Sequence, residues 1–225
     1  EAEKPPPSRE VQDRETAEVL ADLALFLEAE ADATASNKAI GLEVAFGRGQ
    51  ELATEPLAVA DPVVIDLGDG LTFRLAGSID RIDQLGEAEF EVLDYKTGSY
   101  WADGWKGTFA GGRRLQHALY GLAAVELLRR RQKKARVTSA QYYFPSAKGQ
   151  RVRKRIVMQT VGTIGGVIGD LREVIASGLF IHATDEDDCK WCDFGYACGK
   201  AARDAAGAKL GDPTLQPFVR LRSHE

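Results

Sequence analysis

The chain has 225 residues, of which 44% are hydrophobic and 28% charged, as expected for a globular protein with one sizeable core. Its net charge of −5 offers nucleic acid no general attraction, although a local basic surface beside acidic metal ligands would still allow binding. No apolar run approaches the roughly 18 residues of a membrane span and the first residues do not resemble a signal peptide, so we expect a cytoplasmic protein.

The first half of the chain predicts one helix and a run of strands. Residues 1–10, with three consecutive prolines, are expected to be a linker or an end of the expressed segment. Residues 11–35 predict an amphipathic helix, whose apolar residues recur at helical spacing: Val19, Leu20, Leu23, Phe26 and Leu27. Strands are predicted, with a turn at Asp69 and Gly70, over residues 42–46, 62–67, 71–75, 77–83 and 90–95.

The second half predicts helices around a strand pair. The helices are expected at residues 115–128 and 161–175, and the paired strands at residues 137–144 and 152–157. We expect Pro213–Glu225 to be irregular and interpret residues 201–225 as a C-terminal tail. This order predicts an α/β fold, with a mixed central sheet flanked by helices, for a domain over residues 11–200.

Two groups of basic residues follow the second predicted helix. They are either solvated faces of a helix and a strand or a surface that binds phosphate groups. The first group is Arg129, Arg130, Arg131, Lys133, Lys134 and Arg136, and the second is Arg151, Arg153, Lys154 and Arg155.

Two carboxylates and a lysine are expected to meet at one end of the sheet. Side chains alternate along a strand, so Asp94 and Lys96 point to the same face, and Asp80 lies beside them if the two strands pair. Converging carboxylates repel each other unless a cation lies between them, and such oxygen ligands suit Mg²⁺ or Mn²⁺. Lys96 could then orient or deprotonate a metal-bound water. The competing interpretation is two carboxylates at a sheet edge and a surface lysine.

Three motifs together resemble the PD-(D/E)XK nuclease superfamily. They are G-x-I-D-R-I-D at residues 77–83, D-Y-K-T-G at 94–98 and L-Q-x-x-x-Y at 115–120. Within the superfamily they are most similar to the RecB-like exonucleases, which include the nuclease domains of the AddAB and RecBCD helicase–nucleases. The resemblance covers about residues 40–200 and implies a restriction-endonuclease-like core and metal-dependent DNA hydrolysis.

The resemblance also implies roles for individual residues. Asp80, Asp94 and the backbone carbonyl of Tyr95 would bind the metal, and Lys96 would be the catalytic lysine. Gln116 and Tyr120 would organise the active site and touch DNA. Glu43 lies where members of the family often carry a glutamate, but an exposed strand residue is an equally good interpretation.

The three cysteines of the chain, Cys189, Cys192 and Cys198, lie within one short segment. Clustering and an odd number favour metal ligation over a disulfide framework. The C-x2-C-x5-C spacing resembles the C-terminal arm of AddB-type subunits and CRISPR-associated adaptation nucleases, which implies a 4Fe-4S cluster. The alternatives are a zinc site completed by His182 or an outside ligand, and three buried thiols.

The sequence departs from the family pattern at two points. It holds no fourth cysteine for the cluster, and no G-x-x-x-H helix precedes Glu43. Both features are expected if the chain is the C-terminal piece of a longer protein, which would supply the fourth ligand, or if the ligands were lost. Trp101, Trp105 and Phe109, in a glycine-rich segment, could stack on unpaired bases or simply cover the end of the sheet.

The leading functional hypothesis is a DNA exonuclease or end-processing domain that acts beside a helicase subunit or domain in double-strand-break repair. The competing class is a non-catalytic module that binds DNA ends or scaffolds a complex. Retention of Asp80, Asp94 and Lys96 favours the enzyme. A standalone adaptation-type nuclease would need its own upstream histidine and cysteine, which the chain lacks.

Overall fold

The computed structural model describes residues 8–33, 37–182, 186–190, 192–199 and 201–225. Its helices are α1 (Arg9–Ala33), α2 (Gln116–Arg129), α3 (Val161–Ala176), α4 (Glu186–Cys189), α5 (Gly195–Cys198), α6 (Ala202–Ala208) and α7 (Gln216–Ser223). Its strands are β1 (Lys38–Phe46), β2 (Val63–Asp66), β3 (Thr72–Leu75), β4 (Gly77–Gln84), β5 (Glu89–Tyr95), β6 (Arg136–Tyr143) and β7 (Arg153–Val157). Among these described helices, none combines the length and apolar character that crossing a bilayer requires.

The central sheet has five strands in the order β1-β4-β5-β6-β7. β5 and β6 run parallel and the other neighbours antiparallel, while β2 and β3 form a separate two-stranded sheet. A parallel pair needs a long crossover connection, and α2 supplies it between β5 and β6. The expected α/β fold, a mixed sheet flanked by helices, is confirmed.

The chain forms two compact units. One comprises Glu1–Ile65, Thr72–Gly104 and Gln116–Met158 and holds the five-stranded sheet. The other comprises Asp66–Leu71, Trp105–Leu115 and Gln159–Glu225. The sequence predicted a single domain over residues 11–200 and did not indicate this division.

Within the second unit, the irregular structure predicted for Pro213–Glu225 is wrong. A 3-10 helix at Pro213–Leu215 leads into α7, which packs against α3 and buries Leu221. Pro217 lies in the first turn of α7, where its missing N–H costs no hydrogen bond. Arg220 secures the packing through a hydrogen bond from its Nε to Asp170 Oδ1 at 2.8 Å.

Helix α1 begins at Arg9, so the last residues of the predicted linker are helical; residues 1–7, 34 and 35 lie outside the described residues. The predicted apolar face of α1 is wrong, because most of it is exposed. Only Phe26 of that set packs on the sheet, with its ring 5.9 Å from that of Tyr95. The exposed members, at 47–66% of their surface, are Val19, Leu20, Leu23 and Leu27.

Besides the packing of Phe26, polar contacts attach α1 to the sheet. Glu30 accepts hydrogen bonds from Arg81 and from Arg153 Nη2, the latter at 2.7 Å. Arg81 is buried and also forms a two-pronged ion pair with buried Asp83, at 2.5 and 3.0 Å. The sheet face beneath α1 is therefore charged, and only a polar helix face can satisfy it.

We predict that Glu30→Gln destabilises the protein at neutral pH by about 2 kcal/mol, the size of hydrogen bonds to charged groups. Burial raises the pKa of Glu30, but Arg81 and Arg153 donate to the carboxylate. The net result is a pKa below the ordinary value. A lowered carboxylate pKa stabilises the fold above the unfolded pKa, and this contribution is lost as the pH falls through the folded pKa. Urea unfolding at several pH values measures both effects.

Glu18→Gln is the matched control on the same helix. Glu18 is more than half exposed and its ion pair with Lys148 spans 3.8 Å, so its loss should change stability by less than about 0.5 kcal/mol. Equal unfolding curves for the Glu30 and Glu18 variants would show that the buried ion pairs do not hold α1.

Candidate active site

The ends of β4 and β5 bring the two predicted carboxylates together. Arg81 pairs with Leu93 and Asp83 with Glu91, and Asp80 and Asp94 are the next residues beyond the Arg81–Leu93 end of this antiparallel ladder. Asp80 Oδ2 accepts a hydrogen bond from the backbone N–H of Tyr95 at 2.8 Å, which fixes its carboxylate beside the end of β5.

Lys96 and Gln116 complete a closed set of contacts around Asp94. Lys96 Nζ lies 2.5 Å from Asp94 Oδ2 and donates to Gln116 Oε1 at 3.0 Å. Gln116 Nε2 donates to Asp94 Oδ1 at 2.5 Å. Gln116 is the first residue of α2, so the crossover helix itself carries this side chain to the carboxylate. The structure therefore brings together Asp80, Asp94, Lys96 and Gln116, as the sequence predicts.

The electrostatics of Asp94 favour a cation at this point. Burial raises the pKa of Asp94, and the nearby charge of Asp80 raises it further, while the hydrogen bond and charge of Lys96 oppose this. The net direction is upward, so its surroundings do not fully stabilise the ionised form of Asp94. A divalent ion between two such oxygen donors would supply stabilising positive charge, and the residues present fit one.

Tyr120 lies one turn beyond Gln116 but does not reach the carboxylates through any described hydrogen bond. Its ring packs edge-to-face on Phe46 at 6.2 Å, and it lines a small cavity of about 10 Å³ together with Asp94 and Gln116. That volume is comparable to the space one water requires.

Sequence reasoning missed Tyr142 and His117. Tyr142 lies beside Asp94 in the parallel register of β5 and β6, and Lys96 Nζ lies 5.4 Å from the centre of its ring. The Tyr142 hydroxyl accepts a hydrogen bond from the backbone N–H of His117 at 3.1 Å, which ties the start of α2 to the sheet. Alternation along β6 could have indicated Tyr142 only if the parallel pairing with β5 had been known.

Glu43 falls opposite Asp80, because Leu42 pairs with Arg81 and Val44 with Ile79. It is exposed and has a left-handed backbone, with φ of 50°, which is unusual within a strand. Over the described residues, no three His, Cys, Asp or Glu side chains are arranged as a metal-binding group, so Glu43 does not join the two aspartates.

The aromatic residues after β5 divide into three environments. Trp101 is 73% exposed, and Trp105 stacks against the guanidinium of Arg114 at 4.4 Å. Phe109 is buried, so its interpretation as a base-stacking residue is wrong. Stacking on DNA stays a prediction for Trp101 and Trp105.

The three cysteines are free thiols near the ends of short helices. Cys189 ends α4 and is half-buried, whereas Cys192 and Cys198 are exposed, so the alternative of three buried thiols is wrong. The described residues do not gather the three thiols into one metal-binding group. Ligation by iron–sulfur or zinc stays a prediction.

Comparison with known proteins places this geometry in a family. No curated protein sequence is significantly similar to the chain. The family model of the PD-(D/E)XK nuclease superfamily, however, matches residues 1–199, which include the whole five-stranded sheet and the Asp80, Asp94 and Lys96 site. The chain belongs to the PD-(D/E)XK nuclease superfamily.

Proposed function

We propose that the chain is a deoxyribonuclease domain that hydrolyses DNA with Mg²⁺ or Mn²⁺. The observation that carries this proposal is the contact set in which Asp94 is bound by both Lys96 and Gln116 beside the carboxylate of Asp80. Asp80, Asp94 and the Tyr95 carbonyl would hold the metal. When bound, the ion would act as a Lewis acid and lower the pKa of a water molecule.

The side chains of the site have separate tasks in this proposal. Lys96 keeps a positive charge beside the carboxylates, where it can orient the attacking water and counter the charge that develops on the phosphate. Gln116 holds Lys96 and Asp94 through opposite ends of one amide, so both groups are positioned before DNA binds. Tyr120 would contact DNA from the same helix.

We further propose that the domain is an exonuclease or end-processing enzyme that works with a helicase in double-strand-break repair. The support is the RecB-like character of the three motifs. Incubation of the full-length protein with matched linear and covalently closed circular DNA tests the end requirement. Degradation of linear DNA alone is expected; equal cutting of closed circles would make the protein an endonuclease, and no cutting of either would favour a DNA-end-binding module.

For the cysteines we propose a structural 4Fe-4S cluster in the full-length protein, with Cys189, Cys192 and Cys198 as three ligands. The support is their spacing alone, and the fourth ligand would come from outside this chain. Cys192 and Cys198 are exposed and Cys189 is half-buried, so these thiols, which are close in sequence, are accessible for ligation. The cluster would have no part in DNA cleavage.

Metal analysis of anaerobically purified full-length protein tests the cluster directly. We predict about four irons with matching sulfide per chain, and Cys192→Ser should lower iron content, stability and DNA binding together. Stoichiometric zinc without iron would assign the thiols to a zinc site instead.

A further inference from the structure

A second cavity lies toward the other end of the sheet from the catalytic carboxylates. It measures about 180 Å³ and is walled by apolar side chains from four parts of the first unit: Ile40, Leu57, Phe90 and Leu128. Phe90 is near the start of β5 and Asp94 near its end, about 13 Å apart at the rise of a strand. The cavity is therefore separate from the proposed metal site.

A β-bulge gives this cavity one of its walls. The register of β1 against β4 shifts between Ala39 and Gly41, which makes Ile40 the extra residue. A bulge re-aims a side chain away from its regular face, and here Ile40 lines the cavity. An enclosed apolar cavity of roughly 150 Å³ can hold benzene. This cavity is open to solvent, and its volume of about 180 Å³ leaves room for a single aromatic or branched aliphatic side chain.

Polar side chains at fixed positions line the same cavity. Arg131 donates from Nη2 to the carbonyl of Pro56, and Gln132 Nε2 donates to the carbonyl of Glu87 at 2.7 Å. Because these bonds go to neutral carbonyls, the charge of Arg131 is held next to the cavity without being neutralised.

More uncompensated basic residues follow α2. Arg130, Lys133 and Lys134 are exposed, and within the described part of the chain none of them forms an ion pair. Arg136, by contrast, pairs with Glu89. A local positive surface on a chain of net charge −5 attracts negatively charged partners to this place in particular.

We propose that the cavity and Arg130, Arg131, Lys133 and Lys134, together called the α2-end site, bind an acidic peptide segment of a partner protein. One bulky apolar side chain of the segment would fill the cavity while its carboxylates face the basic residues. A DNA duplex would match only the charge, since its outer surface is sugar and phosphate and offers no apolar side chain. The apolar cavity is thus what favours a peptide.

Fluorescence anisotropy with the whole chain tests this proposal. The probe is a short fluorescein-labelled peptide rich in aspartate with one phenylalanine, compared with the same peptide carrying alanine. We expect the alanine peptide to bind about 30-fold more weakly, because a buried aromatic anchor carries most of the affinity. Lys133→Glu with Lys134→Glu should weaken binding of the phenylalanine peptide about tenfold at low salt.

Arg48→Glu with Arg74→Glu is the matched control, since both residues are exposed and the change in net charge is the same. This control should bind the phenylalanine peptide like the unchanged protein. Equal affinity for the two peptides, or equal weakening in the two double variants, would overturn the proposal. It would also be overturned if the Lys133 and Lys134 variant lost affinity for a DNA duplex but not for the peptide, which would make the surface a nucleic-acid site.

Discussion

The full-length protein carrying Lys96→Ala should cleave DNA about 10²- to 10⁴-fold more slowly than the unchanged protein, the range for loss of a group that assists proton transfer. Lys96 Nζ contacts Asp94 Oδ2 at 2.5 Å and Gln116 Oε1 at 3.0 Å, so the substitution removes the cation in contact with Asp94. DNA binding should change little, because phosphate contacts are spread over many basic groups. Single-turnover cleavage and filter binding measure the two quantities separately.

Lys148→Ala is the control for this experiment. Lys148 is exposed and its ion pair with Glu18 spans 3.8 Å, so cleavage by this variant should match the unchanged protein. If Lys96→Ala also cleaves at the parental rate, another group activates the water and the role given to Lys96 is wrong.

Asp94→Asn should abolish cleavage while making the fold more stable. If Asp94 is a metal ligand as proposed, its loss removes several kcal/mol of transition-state stabilisation, so the cleavage rate should fall by about a thousandfold or more. Burial and the charge of Asp80 raise the pKa of Asp94, which means that its ionised form destabilises the fold. An asparagine keeps an oxygen that can accept from Gln116 but carries no charge, so the free energy of unfolding without metal should rise by about 0.5–2 kcal/mol.

The stability gained by Asp94→Asn should depend on pH, because the pKa of Asp94 is raised in the folded protein. Above the folded pKa Asp94 is ionised in both states and its destabilising effect is complete. As the pH falls through the folded pKa toward the unfolded pKa, the carboxyl becomes neutral and the difference between the two proteins disappears. Denaturant unfolding of both proteins in EDTA at several pH values measures this, with Asp61→Asn as an exposed control. A variant less stable than the unchanged protein at neutral pH would contradict it.

The grouping of Asp80, Asp94 and Lys96 could be predicted because it depends on short-range rules. Alternation along one strand places Asp94 and Lys96 on one face, and a short turn between β4 and β5 fixes the antiparallel pairing that adds Asp80. Gln116 was assigned through the resemblance to the nuclease family, and in the structure it begins the helix that carries it to Asp94. These elements are local in sequence, and the structure confirms the strands and the helix.

The other contacts required knowledge of long-range pairing. Tyr142 lies beside Asp94 only because β6 pairs parallel to β5, which the strand pattern did not reveal. The contacts of α1 could not be predicted from its apolar residues, because the sheet beneath carries buried Arg81 and Asp83 and attracts Glu30 instead. The helix at Pro217 could not be predicted for a different reason: a proline in the first turn of a helix and a proline that ends one look alike in sequence.

In the proposed function, Asp80 and Asp94 hold a divalent metal that DNA hydrolysis requires. A titration of Mn²⁺ into EDTA-treated full-length protein, with linear DNA and with Asp80→Asn in parallel, tests it most directly. We predict no cleavage before metal is added, saturable cleavage by the unchanged protein, and a much higher metal requirement with a low final rate for the variant. Cleavage that persists in EDTA, or the same metal dependence in both proteins, would contradict the assignment of this site.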